Sequence, residues 1–486
     1  SFEGNTVYSS EVLTKFMDIQ PGQVLNSVYV GQKVQGINAA YARDGYMLAH
    51  VDGIRVDDQG VLHVHIVEGI VEDIIPAGNK KTRDKVITRE FVQKKGKPFN
   101  KFLVRRSVER VYNLGFFDDV NVRMLPGNQD PNNVIIEIDV LEHKTGTITL
   151  GAGYSKSDGL MGIVEFGEDN LRGTGDKFKV HWEIGGKKKY KNYQISYLKP
   201  WIDSKGTSLG FSFFNREDEY TDYNEDGNEV AEYNKKSRGF NISFGRQTGE
   251  YTRDYLTLES RKDSYKWDDD DSSGFRYDKN AGKGKNWNNG SYNFANDKYV
   301  DKNFGRINSI TWQKVYDSRD NIYEPTRGRR ISYTAQWAGH GLGGDFDFYK
   351  FTAEARMYKK LGAKNVLAFR ARGGFIQGDA PYSQLFTLGG ADSLRGYEDD
   401  QFRGKYMYNA TLEFRFPIVK KVSGVLFTDI GDAWDAPNVT WYNSKKTFNY
   451  GVGAGVRITT PIGPVKLDYG VGKHKNKFHF SFGTQF

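Results

Sequence analysis

The sequence predicts a mixed fold, with two small α+β domains in tandem followed by an antiparallel transmembrane β-barrel of about sixteen strands. Three observations predict it. The first 143 residues match themselves at an offset of 74. From Lys144 the helical period gives way to strands of alternating polarity that run to Phe486. Aromatic residues reach 14% and glycines number 55, yet no apolar run approaches the roughly 18 residues that a helical span needs. The expected domains are 1–69, 70–143 and 144–486.

In the repeat, Gly4-Asn5 pairs with Gly78-Asn79, Val12-Leu13 with Val86-Ile87, and Gly22 with Gly96. Val30, Val34 and Ile37 recur as Val104, Val108 and Val111, a spacing of four and three that puts each set on one helical face. Both helices should stop at a glycine before an aromatic residue, Gly45-Tyr46 and Gly115-Phe116. Alternation follows: Leu62, Val64 and Ile66 oppose Val61, His63 and His65, and Val134, Ile136 and Ile138 oppose Ile135, Glu137 and Asp139. Each unit reads strand, helix, helix, strand, strand. Ser1 to Gly4 open as if inside a strand, so the first unit is expected to be N-terminally truncated and the chain to belong to a longer precursor.

From Thr147–Ser155 to Lys477–Phe486 a meander gives about sixteen strands, and an even count suits a bacterial single-chain barrel. Short turns at 202–206, 361–363 and 461–464 share one end with the N-terminal domains. Long polar connections at 216–235, 261–303 and 377–404 lie at the other. In the last strand Phe478, Phe480 and Phe482 share one face, which lipid takes, while His479, Ser481 and Gly483 share the other.

Composition narrows the function. With 0 Cys, neither disulfides nor thiolate metal sites contribute. The net charge of +8 is spread among acids in almost every segment, which argues against nucleic acid and for solvated loops near anionic lipid. There is no phosphate loop, nucleophile elbow or credible triad, so no enzyme, cofactor or catalytic residue is expected. The stretch Asp222 to Gly227 opens like a calcium loop, but its twelfth position is Tyr233 and Glu232 falls one residue early. A solvated outer loop is the expectation there and for Asp268 to Asp271, and no metal site is expected.

The N-terminal units resemble POTRA domains. The stretch Gly389-Gly390-Ala391-Asp392-Ser393-Leu394-Arg395-Gly396-Tyr397 resembles the signature loop of the outer-membrane assembly factor family, whose core is Arg-Gly followed by Phe or Tyr. That resemblance implies a loop folded back into the lumen, with Arg395, Gly396 and Tyr397 locked by wall acids. Glu413, flanked by lipid-facing Leu412 and Phe414, faces inward by period, and Asp429 matches the family's second acid. Asp432 is an alternative partner. Resemblance to the BamA-like branch implies insertion of β-barrel clients through a lateral seam between the first strand (Thr147, Thr149, Gly151, Gly153) and the last (Phe478, Phe480, Phe482, Phe486). Gly151 and Gly153 bring no side-chain packing to that edge. Implied partners are unfolded outer-membrane clients, outer-membrane lipid and accessory lipoproteins, with the N-terminal units in the periplasm. Two repeats are also what two-partner secretion transporters have, so polypeptide translocation of that kind or of a TamA-like kind is the alternative.

Overall fold

The computed structural model describes residues 1–155, 159–185, 190–223, 229–266, 277–278, 283–284, 304–321, 324–436, 445–460, 463–473 and 475–482. They form two compact units, one of Ser1–Thr147 with Gly167–Phe178 and one of Ile148–Phe166 with Lys179–Phe486.

In the first unit, repeat one comprises β1 (Phe2–Glu3), α1 (Ser10–Met17), α2 (Ser27–Arg43), β2 (His50–Val56) and β3 (Leu62–Val67). Repeat two comprises β4 (Val71–Ala77), α3 (Asp84–Thr88), α4 (Lys101–Tyr112), β5 (Phe117–Pro126) and β6 (Val134–Glu142). The sheets run β1-β3-β2 and β4-β6-β5; the first strand of each repeat pairs in parallel with the last, which is central, and the closing hairpin is antiparallel. Ile37, Val104 and Val111 are buried in the two cores and Val30, Val34 and Val108 are half-buried, as the helical spacing requires.

The offset of 74 holds for individual hydrogen bonds. The Asn26 side chain accepts the N–H groups of Val28 and Tyr29 at the start of α2, and Asn100 accepts those of Phe102 and Leu103 at the start of α4. Asn5 donates to the Tyr8 carbonyl and Asn79 to the Thr82 carbonyl. The Glu68 carboxylate accepts the N–H groups of Thr6 and Val7; Glu142, its counterpart, accepts those of Lys80, Lys81 and Thr82. Burial pushes the Glu142 carboxyl up, but the Thr82 side chain and these three N–H donors outweigh it and hold it below the usual range.

Residues 167–178 pack within this unit. Asn170 donates to the Thr82 hydroxyl at 2.8 Å, the Arg83 N–H to the Gly173 carbonyl at 2.9 Å, and Lys81 pairs with Glu168 at 3.2 Å.

The second architecture is one sheet of sixteen strands, β7 (Gly146–Ser155), β8 (Gly159–Leu171), β9 (Asp176–Gly185), β10 (Tyr190–Lys199), β11 (Ser208–Tyr223), β12 (Glu229–Gln247), β13 (Thr252–Lys266), β16 (Arg306–Asp317), β17 (Gly328–Ala338), β18 (Phe348–Leu361), β19 (Asn365–Gly378), β22 (Tyr406–Val419), β23 (Val422–Trp434), β24 (Asn449–Thr460), β25 (Gly463–Gly472) and β26 (Asn476–Phe482). Two short hairpins sit in connections, β14 (Tyr277–Asp278) with β15 (Lys283–Gly284), and β20 (Phe386–Leu388) with β21 (Phe402–Gly404). The strands neighbour one another in chain order from β7 to β26, and among the described residues no ladder joins these two ends. The sheet is barrel-like and left open at that place.

The connection at 216–235 differs from expectation. β11 and β12 stay paired out to Tyr223 and Glu229, so most of that polar stretch is hairpin rather than loop. A two-stranded ladder satisfies its own backbone whatever the polarity of its side chains. The remainder of the calcium-like stretch, 224–228, and the acidic run from Asp268 to Asp271 lie outside the described residues.

Candidate functional site

The connection between β19 and β22 carries the signature residues. Its base is the β20–β21 hairpin, and Leu388, Leu394, Tyr397 and Phe402 bury together with Met407 of β22. Gly389 and Gly390 take φ of +125° and +89°, a region that favours glycine, and so turn the chain back on itself. The tip then lies on glycines of the wall. A Cβ on Gly451 of β24 would stand 1.9 Å from the Arg395 carbonyl oxygen, and one on Gly470 of β25 would stand 2.5 Å from the Gly396 nitrogen. Gly396 itself has φ +98°, and a Cβ there would meet the Gly472 nitrogen at 2.6 Å. Backbone thus rests on backbone, which only residues without side chains permit.

This seating delivers Arg395 to the acids. Its Nε and Nη2 donate to the two oxygens of Asp429 at 2.7 and 2.8 Å, a bidentate fork, while Nη1 donates to Glu413 at 2.7 Å and to Asp468 at 3.3 Å. The Arg395 N–H also reaches Asp429, at 3.1 Å, and the guanidinium lies over the Phe427 ring with its carbon 3.5 Å from the centroid. Arg457 of β24 pairs with Asp468 at 2.5 Å and with Glu413 at 3.5 Å, and Arg415 pairs with Glu413 at 2.8 Å. Three cations therefore face three carboxylates with side chains at most 8% exposed. Such a group tolerates loss of water because its charges balance and most of its donors find acceptors. A cavity of about 20 Å³ is left among these side chains, Ala391, Asp392 and Lys466, space for about one water.

Of the residues expected from sequence, Arg395, Gly396, Tyr397, Glu413 and Asp429 come together. Tyr397 donates to the Tyr450 carbonyl at 3.1 Å. Asp432 takes no part in holding Arg395; it accepts the Thr447 N–H at 2.5 Å and faces Asn449 at 3.3 Å. Sequence reasoning missed Asp468, Arg457, Arg415 and His479. A signal existed: each is a polar residue between apolar neighbours in a strand, as Asp468 is between Leu467 and Tyr469.

The proposed seam residues fall on the two end strands. On β7, Thr147, Thr149 and Gly151 are exposed, as are Ile148 and Leu150 at 73% and 75%, so this strand offers both faces and one edge; Gly153 lies on the same strand. On β26, Phe478 and Phe480 are exposed while His479 between them is buried, which gives the expected alternation. Phe482 ends β26, and Phe486 lies outside the described residues. On the exposed face of the first repeat, His63 meets Asp57 at 2.8 Å and His65 meets Asp52 at 3.5 Å.

Comparison with known proteins follows the same division of the chain. Residues 170–486 match the Omp85 superfamily domain, and residues 1–69 and 70–143 each match the POTRA family, the surface antigen variable number repeat. The outer membrane protein assembly factor BamA of Nitratidesulfovibrio vulgaris is 25% identical over 525 residues, an alignment that covers 100% of this chain and 61% of that protein. The chain thus spans about three fifths of that relative's length. In fold it resembles the crystal structure of BamA from Haemophilus ducreyi lacking POTRA domains 1-3, with TM-score 0.64 at 20% identity over 100% of this chain and 99% of that one. It also resembles CdiB from Escherichia coli, with TM-score 0.67 at 14% identity over 99% and 87% of the two chains. With POTRA repeats followed by a sixteen-stranded sheet that holds an inward-folded Arg-Gly-Tyr loop, the chain belongs to the Omp85 superfamily.

Proposed function

We propose that this chain is the barrel and two periplasmic repeats of an outer-membrane machine that inserts and folds other β-barrel proteins. One observation carries the reading: a sixteen-stranded sheet whose first and last strands, among the described residues, have no ladder to each other, beside a loop held by buried charge. Inside lipid an unpaired strand edge is expensive, because no water satisfies its N–H and C=O groups. An incoming client strand relieves that cost by pairing with β7 or β26, exchanging backbone hydrogen bonds without covalent chemistry. The relatedness to assembly factors named BamA supports the same reading.

On this account the domains divide at 69 and 143, the repeats face the periplasm, and the partners are unfolded clients, outer-membrane lipid and accessory lipoproteins. Arg395, Glu413 and Asp429 act as the loop lock, and the two end strands act as the seam. The test is folding of a small unfolded client barrel into liposomes with this protein, with Arg395→Ala, and without protein. Acceleration by the intact protein and its loss in the variant are expected; folding no faster than in empty liposomes would remove the proposal.

A second reading, translocation of an extended polypeptide, draws on the same lock, since displacing an inward-folded loop would widen a path through the lumen. It predicts that Arg395→Ala raises ion conductance in planar bilayers and that closing the seam leaves transport intact.

A further inference from the structure

The loop tip reaches the terminal strand as well as the acids of β22, β23 and β25. The Gly396 N–H donates to Nε2 of His479, at 2.9 Å, and this imidazole is 4% exposed. Two residues before it on the same strand, Lys477 forms an ion pair with Glu398 of the loop. In the turn leading into β26, the Lys473 N–H donates to the Tyr397 hydroxyl at 3.1 Å. Three consecutive loop residues, Gly396, Tyr397 and Glu398, are therefore each tied to β26 or its preceding turn. Because Gly396 has no room for lateral shift against Gly470 and Gly472, its N–H direction is fixed by the seat.

Beyond this, among the described residues β26 has a ladder on one side. It pairs with β25, where His479 stands opposite Asp468, and among the described residues its other edge carries no ladder. A strand held by one ladder and by a loop behind it leaves only when both let go.

We propose that His479 is a positioning residue that couples the loop tip to the terminal strand, so that release of the loop and release of β26 are one event. The inference rests on the reading of β26 as a working edge and adds to it a residue that links edge and lock. Coupling of this kind is reciprocal: whatever loosens the loop loosens the strand, and a client strand that draws β26 away frees the loop.

The chemistry of the contact sets its condition. Nε2 accepts a hydrogen bond only when it carries no proton, so the imidazole here is neutral with its proton on Nδ1. A second proton would place N–H against N–H and break the link. The charged groups around the ring are Lys477 on its own strand, Asp468 on β25, and Arg395 and Asp399 on the loop.

The experiment is hydrogen exchange by mass spectrometry on the full chain in lipid nanodiscs, without client, for wild type, His479→Ala, His479→Gln and Lys477→Gln. Each is first checked for a heat-modifiable band as proof of a folded barrel. His479→Ala should speed exchange in both the loop tip (391–400) and β26 (476–482), by roughly fivefold for one lost hydrogen bond. His479→Gln, whose amide oxygen accepts from Gly396, should restore both. Loop protection unchanged in His479→Ala, or glutamine no better than alanine, would each overturn the proposal. If the alanine variant does not fold, the glutamine comparison and Lys477→Gln, expected to loosen both segments together, decide it. Since no client is present, failure of the assembly reading would appear separately, as normal coupling with no acceleration of client folding.

Discussion

A guanidinium taken out of water is costly unless its donors are met, and Arg395 meets three carboxylates and an aromatic face at once. Removing it leaves Glu413, Asp429 and Asp468 against only Arg415 and Arg457. Arg395→Ala should therefore cost about 3–5 kcal/mol of local stability, the range for breaking a buried pair, read as a fall in the temperature of the heat-modifiability transition. Arg395→Lys should recover little, because an ammonium cannot repeat the fork to Asp429. Equal stability of alanine variant and wild type would show that the cluster holds without its centre. At the other end of the barrel, Asp203 accepts from the Thr207 hydroxyl at 2.6 Å, from the N–H groups of Thr207 and Lys205 at 3.0 and 2.9 Å, and pairs with Arg246 at 2.8 Å. The Thr207 contacts first, then Lys205 and Arg246, hold its carboxyl down to about 2. A carboxyl lowered on folding stabilises the turn above the unfolded value near 4 and loses that contribution as pH falls toward 2. Amide protection at Lys205 and Thr207 should hold from neutrality down to about pH 4 and decay below, and Asp203→Asn should abolish that dependence. Decay that is already complete by about pH 5 would contradict the assignment. At this scale the sequence disclosed Arg395, Glu413 and Asp429, because a motif and a period of two locate them. Asp468 and Arg457 stayed hidden, since which lumen charges meet depends on the register between strands.

Elements repeat where the sequence repeats. Asn26 and Asn100 cap equivalent helices, but the Asn100 side chain also donates to the Asp44 carbonyl of the first repeat, and its backbone N–H donates to the Gln93 side-chain oxygen. Asn26→Ala should cost about 1 kcal/mol, as an exposed cap does, and Asn100→Ala distinctly more. Urea titration followed by far-ultraviolet dichroism distinguishes them, and equal effects would mean that the bridge between repeats contributes nothing. The glycine seat makes a sharper claim. Gly451→Ala puts a methyl where the Arg395 carbonyl stands, so the loop must lift although every charge of the lock remains. Trypsin should then cut within 389–404 faster in the variant than in wild type, whereas Gly362→Ala, at a turn with open space around it, should leave that cleavage unchanged. The strand, helix, helix, strand, strand order and the offset of 74 were legible because packing spacing and caps recur together. The paired reach of β11 and β12 was not, since polar composition describes a solvated hairpin and a loop alike.

Across the whole molecule, the count of sixteen strands could be read from alternation, but the lack of a ladder between β7 and β26 among the described residues could not, because an edge is a property of pairing rather than of either strand alone. That edge is the centre of the proposed function, and the chain's 0 Cys make it addressable by a single introduced pair. The decisive measurement is client folding in liposomes by Gly151→Cys/Ser481→Cys, oxidised and then reduced. Strand templating at the seam predicts that the oxidised protein accelerates folding no more than empty liposomes do and that reduction restores acceleration. Full acceleration by the cross-linked protein would contradict it.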